Sequence, residues 1–187
     1  ICCGPHNPYA NWFVEYAAIE ARLLMGAMTT KYRPDGFLYY SLTIWNDNKP
    51  IETGPFTEWN PVSWTTYHGD GSLLCSGDGG KPVPTLRLEN YRDGMEDFAY
   101  ACILEEIVRQ YEARHATLSS AQKKWLAEAR LAPTVPDSLV ETMAKYSRDP
   151  AELYKYRNHL GDLIDRSGLP DANPWGDNFG VRGFPNR

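Results

Sequence analysis

The chain lacks any basic run of five or more residues, and its formal net charge is −5, so a nucleic-acid partner is not expected. Its longest apolar stretches are far too short to span a bilayer, so no membrane partner is expected either. No signal peptide is present. The chain opens at Ile1-Cys2-Cys3-Gly4-Pro5 without a Met, as though inside a strand, so the precursor's targeting stays open, with a secreted or periplasmic full-length protein among the options. No Cys-x-x-Cys pairs with a second cluster, which removes the usual zinc pattern, and no metal or cofactor is expected. Of the four cysteines, Cys2, Cys3, Cys75 and Cys102 read as buried free thiols. Cys3 as a nucleophile would need a base, and His6 is near it only in sequence. There is no internal repeat and no low-complexity segment.

What is present is an apolar content of 42% in 187 residues, enough for the core of one domain, or of one domain with an appendage. Six Trp and twelve Tyr are an unusual density. Such rings suit surfaces that stack flat apolar faces while offering an indole or hydroxyl donor, as sugars require; an aromatic-rich core is the other reading.

Ile1 to Cys3 reads as the tail of a buried strand, and Gly4 to Pro8 as a loop. From Trp12 to Met28 the residues Phe13, Tyr16, Ala17, Ile19, Leu23, Leu24 and Met25 fall at helical spacing, with Asn11 as N-cap. Thr29 to Pro34 connects to the turn Asp35-Gly36, and Phe37 to Trp45 is apolar or β-prone throughout, as in a strand covered on both faces. Asn46 to Tyr67 is a long Pro-containing loop with Trp59 and Trp64, a length that is usually functional or mobile. Ser72 to Ser76 is a short strand. Thr85 can cap a helix running to about Arg114, in which Gly94 marks close packing. Further helices are expected over Ser119 to Leu131, Asp137 to Tyr146, and from Asp149-Pro150 to Arg166, with an irregular tail beyond Leu169.

This alternation is a βα pattern and predicts three parallel strands near residues 1–4, 37–45 and 72–76. Three strands cannot close a (β/α) barrel, which needs eight. The fold class expected is therefore α/β: either a small open sheet or the C-terminal part of a TIM barrel in a longer protein. In the barrel reading residues 1–116 are the barrel portion and 117–187 a helical extension with its tail.

Several runs carry a resemblance. They are Pro5, Tyr16-Ala-Ala-Ile-Glu-Ala-Arg-Leu-Leu24, Gly36-Phe-Leu-Tyr-Tyr-Ser-Leu-Thr-Ile-Trp45, Gly69-Asp-Gly-Ser-Leu-Leu74 and Pro84-Thr-Leu-Arg-Leu-Glu-Asn-Tyr-Arg-Asp-Gly-Met-Glu-Asp97. Over residues 1 to 165 the chain resembles domain-of-unknown-function family 4091, the C-terminal region of glycoside hydrolase family 123 and its relatives. The Arg-Asp-Gly-x-Glu-Asp run is the most specific part. The resemblance implies a TIM barrel behind a β-sandwich domain, and β-N-acetylgalactosaminidase activity. In that activity the substrate's acetamido group attacks the anomeric carbon, while an adjacent Asp-Glu pair orients it and supplies the acid. That pair lies upstream of residue 1, so no catalytic residue is assigned here; Glu96-Asp97 runs in the other order within a helix. The family's Tyr-Pro-Gly is replaced here by Cys75-Ser76-Gly77.

Glycoside hydrolysis generally uses two carboxyls, and substrate-assisted variants keep one acid. Asp47 follows the strand ending at Trp45, on the side where barrel enzymes carry their sites; Asp70, in Gly69-Asp70-Gly71, precedes its strand. Each reads either as a loop cap or as a sugar-hydroxyl ligand. Trp45 can floor a sugar ring or cap the barrel core, Asn46 can fork to two hydroxyls, and Trp59 and Trp64 can wall a cleft or pin their loop. His6 can donate to a hydroxyl or be simply solvated. Arg92, Asp93, Glu96 and Asp97 read as an ion-pair network fixing their helix. The partners implied are a carbohydrate, an N-acetylhexosamine-containing glycan among the options, and the upstream part of the same protein. Three classes of function stay open: part of a glycoside hydrolase, a noncatalytic carbohydrate-binding relative, or a structural barrel fragment without activity of its own.

Overall fold

A computed structural model describes residues 7–13, 16–43, 69–77, 79 and 81–169. The first helical stretch is α1 (Ile19–Leu23), a π-helical turn over Leu24–Met28, and α2 (Thr29–Tyr32). A hairpin follows, β1 (Leu74–Ser76) with β2 (Pro82–Pro84), then the long α3 (Leu86–Ala113) and α4 (Ser120–Ala129). A second hairpin, β3 (Val140–Thr142) with β4 (Lys145–Tyr146), leads to α5 (Pro150–Arg166). The architecture is mixed helix and small sheets, with α3 at its centre.

The ends of these helices follow from the sequence. Thr85 Oγ1 accepts from Leu88 N at the start of α3. Ser119 and Gln122 form a reciprocal capping box on α4. Asp149 accepts from Ala151 N and Pro150 takes the first turn of α5. On α3 the buried positions Gly94, Asp97, Phe98, Ala101, Leu104, Ile107 and Tyr111 recur at three- and four-residue intervals, a single stripe. That stripe meets Leu23, Ala27 and Met28 on one side and Leu153, Tyr156, Leu160 and Leu163 of α5 on the other, in one apolar cluster that also takes in Trp125 of α4 and Leu139 and Val140. Polar tips in this core find partners: Trp125 Nε1 donates to Leu163 O at 3.0 Å and Tyr156 Oη to Pro133 O at 3.0 Å.

Four expectations change. Among the described residues segment 72–76 makes no parallel pairing: Leu74, Cys75 and Ser76 oppose Pro84, Val83 and Pro82 in an antiparallel hairpin. Gly77 N–H to Lys81 O at 2.6 Å closes it, and the alternate prolines of β2 suit an edge strand because they have no N–H to give. Of the segment 37–45, residues 37–43 are described, and they pair only antiparallel, through the bridge of Thr43 to Ser72 and the bond from Leu74 N to Leu42 O; residues 1–4, 44 and 45 lie outside the described residues. Parallel pairing fails where a connection is short enough for a hairpin, and 77–81 is such a connection.

The helix expected from Trp12 starts at Ile19 instead. Asn11 Oδ1 accepts from Trp12 N (2.7 Å) and Phe13 N (3.3 Å), which folds these residues into a local turn rather than capping a helix. At the other end the helical stretch continues past Met28 to Tyr32, where Arg33 adopts a left-handed φ of 49°. Thr29 Oγ1 and Thr30 Oγ1 donate to Leu24 O and Gly26 O, occupying carbonyls along the π turn. The helix expected over Asp137 to Tyr146 is the β3–β4 hairpin: Thr142 Oγ1 accepts from Ala144 N and Lys145 N, nucleating a turn, while Leu139 and Val140 face the core and Met143 faces out.

The π turn and α3 cross almost in backbone contact. A Cβ on Gly94 would stand 2.5 Å from Arg22 O, and one on Gly26 would stand 3.0 Å from Gly94 O. Beside this crossing Arg22 Nε and Nη2 donate to Asp97 Oδ2 and Oδ1 at 2.6 and 2.8 Å, a bidentate pair that is almost wholly buried. Arg157 Nε of α5 adds an ion-pair contact 2.9 Å from Asp97 Oδ1, without the alignment of a hydrogen bond. The Arg22 guanidinium is held above its ordinary range, first by the hydrogen bond to Asp97 and against the opposing effect of burial. On the outer face Arg92 pairs with Glu89, Asp93 and Glu96, contacts that are exposed and individually weak.

Two outcomes test this crossing. Gly94→Ala gains up to about 1 kcal/mol of helix propensity but must push backbone from backbone, an overpacking cost of about 1–3 kcal/mol, so thermal unfolding by circular dichroism should move several degrees down. Asp97→Asn leaves the buried Arg22 guanidinium only the longer contact with Asp93 at 3.4 Å and should cost about 3 kcal/mol in urea unfolding; a loss below 1 kcal/mol would show that the pair is dispensable.

Candidate functional site

Trp45, Asn46, Asp47, Trp59, Trp64 and His6 lie outside the described residues, as do Cys2 and Cys3. What the described residues supply is the segment 37–43, which precedes Trp45 in sequence, and the residues that hold it.

That segment rests on an aromatic cluster. The Trp12 ring meets Tyr39 edge-on at 4.7 Å, Phe37 at 5.3 Å and Tyr91 at 6.3 Å, and Phe37 meets Tyr91 at 5.8 Å. Trp12 is buried, and with Phe13, Tyr16, Ala21 and Leu73 it forms a second, smaller core. Its indole N–H lies near enough to Tyr39 to favour the ionised phenol slightly, but it makes no hydrogen bond of good geometry. Tyr39 is half-buried in this cluster and Phe37 lies at its exposed edge, while Leu38, Tyr40 and Leu42 face out.

Tyr39 joins this cluster to the turn before β1. Its hydroxyl donates to Asp70 Oδ1 at 2.7 Å and accepts from Gly71 N at 2.5 Å. Burial holds the Tyr39 hydroxyl above the ordinary phenol range, with Asp70 adding to the effect and Gly71 N–H opposing it. The turn Gly69-Asp70-Gly71-Ser72 is closed by Ser72 N to Gly69 O at 3.1 Å, and Gly71 at its third position has φ 74°, the left-handed geometry that such turns assign to glycine. Asp70 is buried and engaged by Tyr39, so of its two readings the structure places it in the turn rather than facing a ligand.

The other buried carboxylates are engaged too. Asp97 is held by Arg22 and Arg157. Glu20 accepts from Arg148 Nε at 2.5 Å, Tyr146 Oη at 3.1 Å and the backbone N–H of Asn11 at 3.2 Å. Burial pushes the Cys102 thiol up to about 11 and raises Cys75 as well, so both are protonated at neutral pH and neither has the character of a nucleophile. Among the described residues no group of three or more His, Cys, Asp or Glu could hold a metal, and no helix is long and apolar enough to cross a membrane.

Sequence reasoning weighed Asp70 but missed Tyr39 as its partner, and missed the Glu20 centre entirely. For Glu20 there was no signal, since its partners Tyr146 and Arg148 are 126 and 128 positions away.

No curated protein shows a significant match to the chain. Residues 1–104 match the family described as glycoside hydrolase 123, catalytic domain. The match takes in the segment 37–43, the Asp70 turn and the part of α3 that carries Gly94 and Asp97, and the chain belongs to the glycoside hydrolase 123 catalytic-domain family.

Proposed function

We propose that this chain is the C-terminal part of a retaining β-N-acetylgalactosaminidase that works by substrate assistance on an N-acetylhexosamine-containing glycan. The family match over residues 1–104 carries the reading. In this scheme the substrate's acetamido oxygen attacks the anomeric carbon, and an Asp-Glu pair upstream of residue 1 orients it and supplies the proton to the departing oxygen. Residues 1–116 belong to a (β/α) barrel whose remaining strands lie in the upstream part of the same protein, and 117–187 extend it.

The chain's own contribution is binding. Trp45 and Asn46 follow closely on the segment 37–43, which is anchored through Thr43 to Ser72. With Asp47, His6 and the loop bearing Trp59 and Trp64, they line the cleft. An indole offers a flat apolar floor to a sugar ring, and an amide reaches two hydroxyls. The supporting observation is the anchorage below: Tyr39 to Asp70, and Thr43 to Ser72, fix the start of the segment that presents Trp45.

The intact protein should release nitrophenol from a nitrophenyl β-N-acetylgalactosaminide, whereas the 187-residue chain alone should not. Turnover by the isolated chain that a substitution within it abolishes would sink the upstream assignment, and an intact protein that binds the sugar without turnover would identify a noncatalytic relative.

Trp45→Ala in the intact protein should weaken sugar binding roughly fivefold, the equivalent of about 1 kcal/mol of stacking, with the circular dichroism spectrum unchanged. Unaltered affinity would return Trp45 to the core.

A further inference from the structure

Glu20 is 1% exposed, and a carboxylate so buried is tolerable only when charge and hydrogen bonds meet it. Two of its partners, Tyr146 and Arg148, come from the second hairpin and the turn after it, beyond the residues that match the family. The third is the backbone N–H of Asn11, which shares Glu20 Oε2 with the Tyr146 hydroxyl. Asn11 in turn fixes its neighbour, because its Oδ1 accepts from Trp12 N at 2.7 Å. Trp12 is the ring on which Phe37, Tyr39 and Tyr91 are assembled.

We infer that Arg148 and Tyr146 are positioning residues, which set the place of Trp12, and through it the aromatic cluster, by way of Glu20 and Asn11. The order of contacts leaves a defined role for each. Arg148 supplies the counter-charge, its Nε donating to Glu20 Oε1, while its Nη2 donates to Tyr146 Oη at 3.2 Å and its guanidinium lies over the Tyr146 ring at 5.1 Å. The Tyr146 hydroxyl therefore accepts from Arg148 and passes its own proton towards Glu20. Burial first, and then the Glu20 carboxylate, push that hydroxyl up to about 12, so it remains a donor over the whole neutral range. Among the described residues Glu20 has no other cation against it. Lys31 is occupied with Asp137 and with the carbonyls of Val140 and Glu141. Those Lys31 contacts are a separate tie between the hairpin and α2, so the hairpin stays docked when Arg148 is replaced.

The relay stands on these contacts alone; its consequence for a sugar cleft rests on the reading proposed above. Fluorine NMR of the protein labelled with fluorotryptophan tests it, with the Trp12 resonance assigned by its loss in Trp12→Phe. Arg148→Ala should displace or broaden that resonance, and Arg148→Lys should restore most of its position. Tyr146→Phe, which keeps the ion pair and removes one hydrogen bond, should shift it less and serves if Arg148→Ala fails to fold. Arg166→Ala removes an arginine as exposed as Arg148, paired with the exposed Glu128 on the outer face of α4 and α5, and should leave Trp12 unmoved. A Trp12 resonance indifferent to both Arg148→Ala and Tyr146→Phe overturns the inference, as does an equal displacement by Arg166→Ala. In the intact protein the relay should also raise the KM of a nitrophenyl glycoside severalfold in Arg148→Ala with kcat little changed. A displaced resonance with KM unchanged upholds the relay and removes its link to the cleft.

Discussion

The interaction on which the rest of this structure depends is the buried pair of Arg22 and Asp97 beside the glycine crossing of the π turn and α3. Two helices can approach this closely only where both lack a Cβ at the contact, and Gly26 and Gly94 provide that. Close approach then buries the neighbouring polar residues, so a carboxylate and a guanidinium must satisfy each other there in bidentate geometry. The pair fixes the register of α1 and the π turn against α3 more sharply than apolar packing could, because a shift of one residue would strand both charges. Arg157 extends the constraint to α5, so the three central helices meet at one carboxylate.

A second buried carboxylate works at longer range. Glu20 lies only two positions from Arg22 in sequence, yet it faces the loop of residues 7–13 and the second hairpin instead of α3. The same short helix thus carries one ionic centre that orders the helices and another that orders the connections around them. Each binds segments separated by more than seventy residues. Neither centre leaves its carboxylate a free oxygen for proton transfer, which makes both parts of the scaffold.

Much of this was legible in sequence where local rules decide. The limits of α3, α4 and α5 followed from Thr85, Ser119 and Asp149-Pro150, whose caps are realised as hydrogen bonds. Gly94 announced close packing because a glycine within a strong helical pattern costs stability unless something must come near it. The failures fall where a side chain competes with the backbone or where pairing is non-local. Asn11 was given the right chemistry and the wrong element: its oxygen caps a turn rather than a helix. Thr142 diverted an apparent helix into a hairpin by the same kind of competition. The direction of strand pairing is carried by no single residue, and nothing in the alternation of strands with helices showed that Leu74–Ser76 would be met by Pro82–Pro84 in a hairpin closed at Gly77.

The boundary of the family match bears on how the molecule is built. Position 104 falls within α3, which continues to Ala113, and Leu104 itself is fully buried. The apolar stripe does not pause there: Ile107 and Tyr111 carry it on to Trp125, Leu160 and Leu163, in the same cluster as Leu23, Ala27 and Met28. A fold cut at the match boundary would leave the face of α3 that packs on α5 open to water. It would also leave Glu20 without Arg148, and Asp97 without Arg157. The cooperative unit therefore runs on through α5, and substitutions in α5 or the second hairpin act on the family frame as directly as substitutions inside it. The scaffold is thus held together across the match boundary by two carboxylates and one shared core.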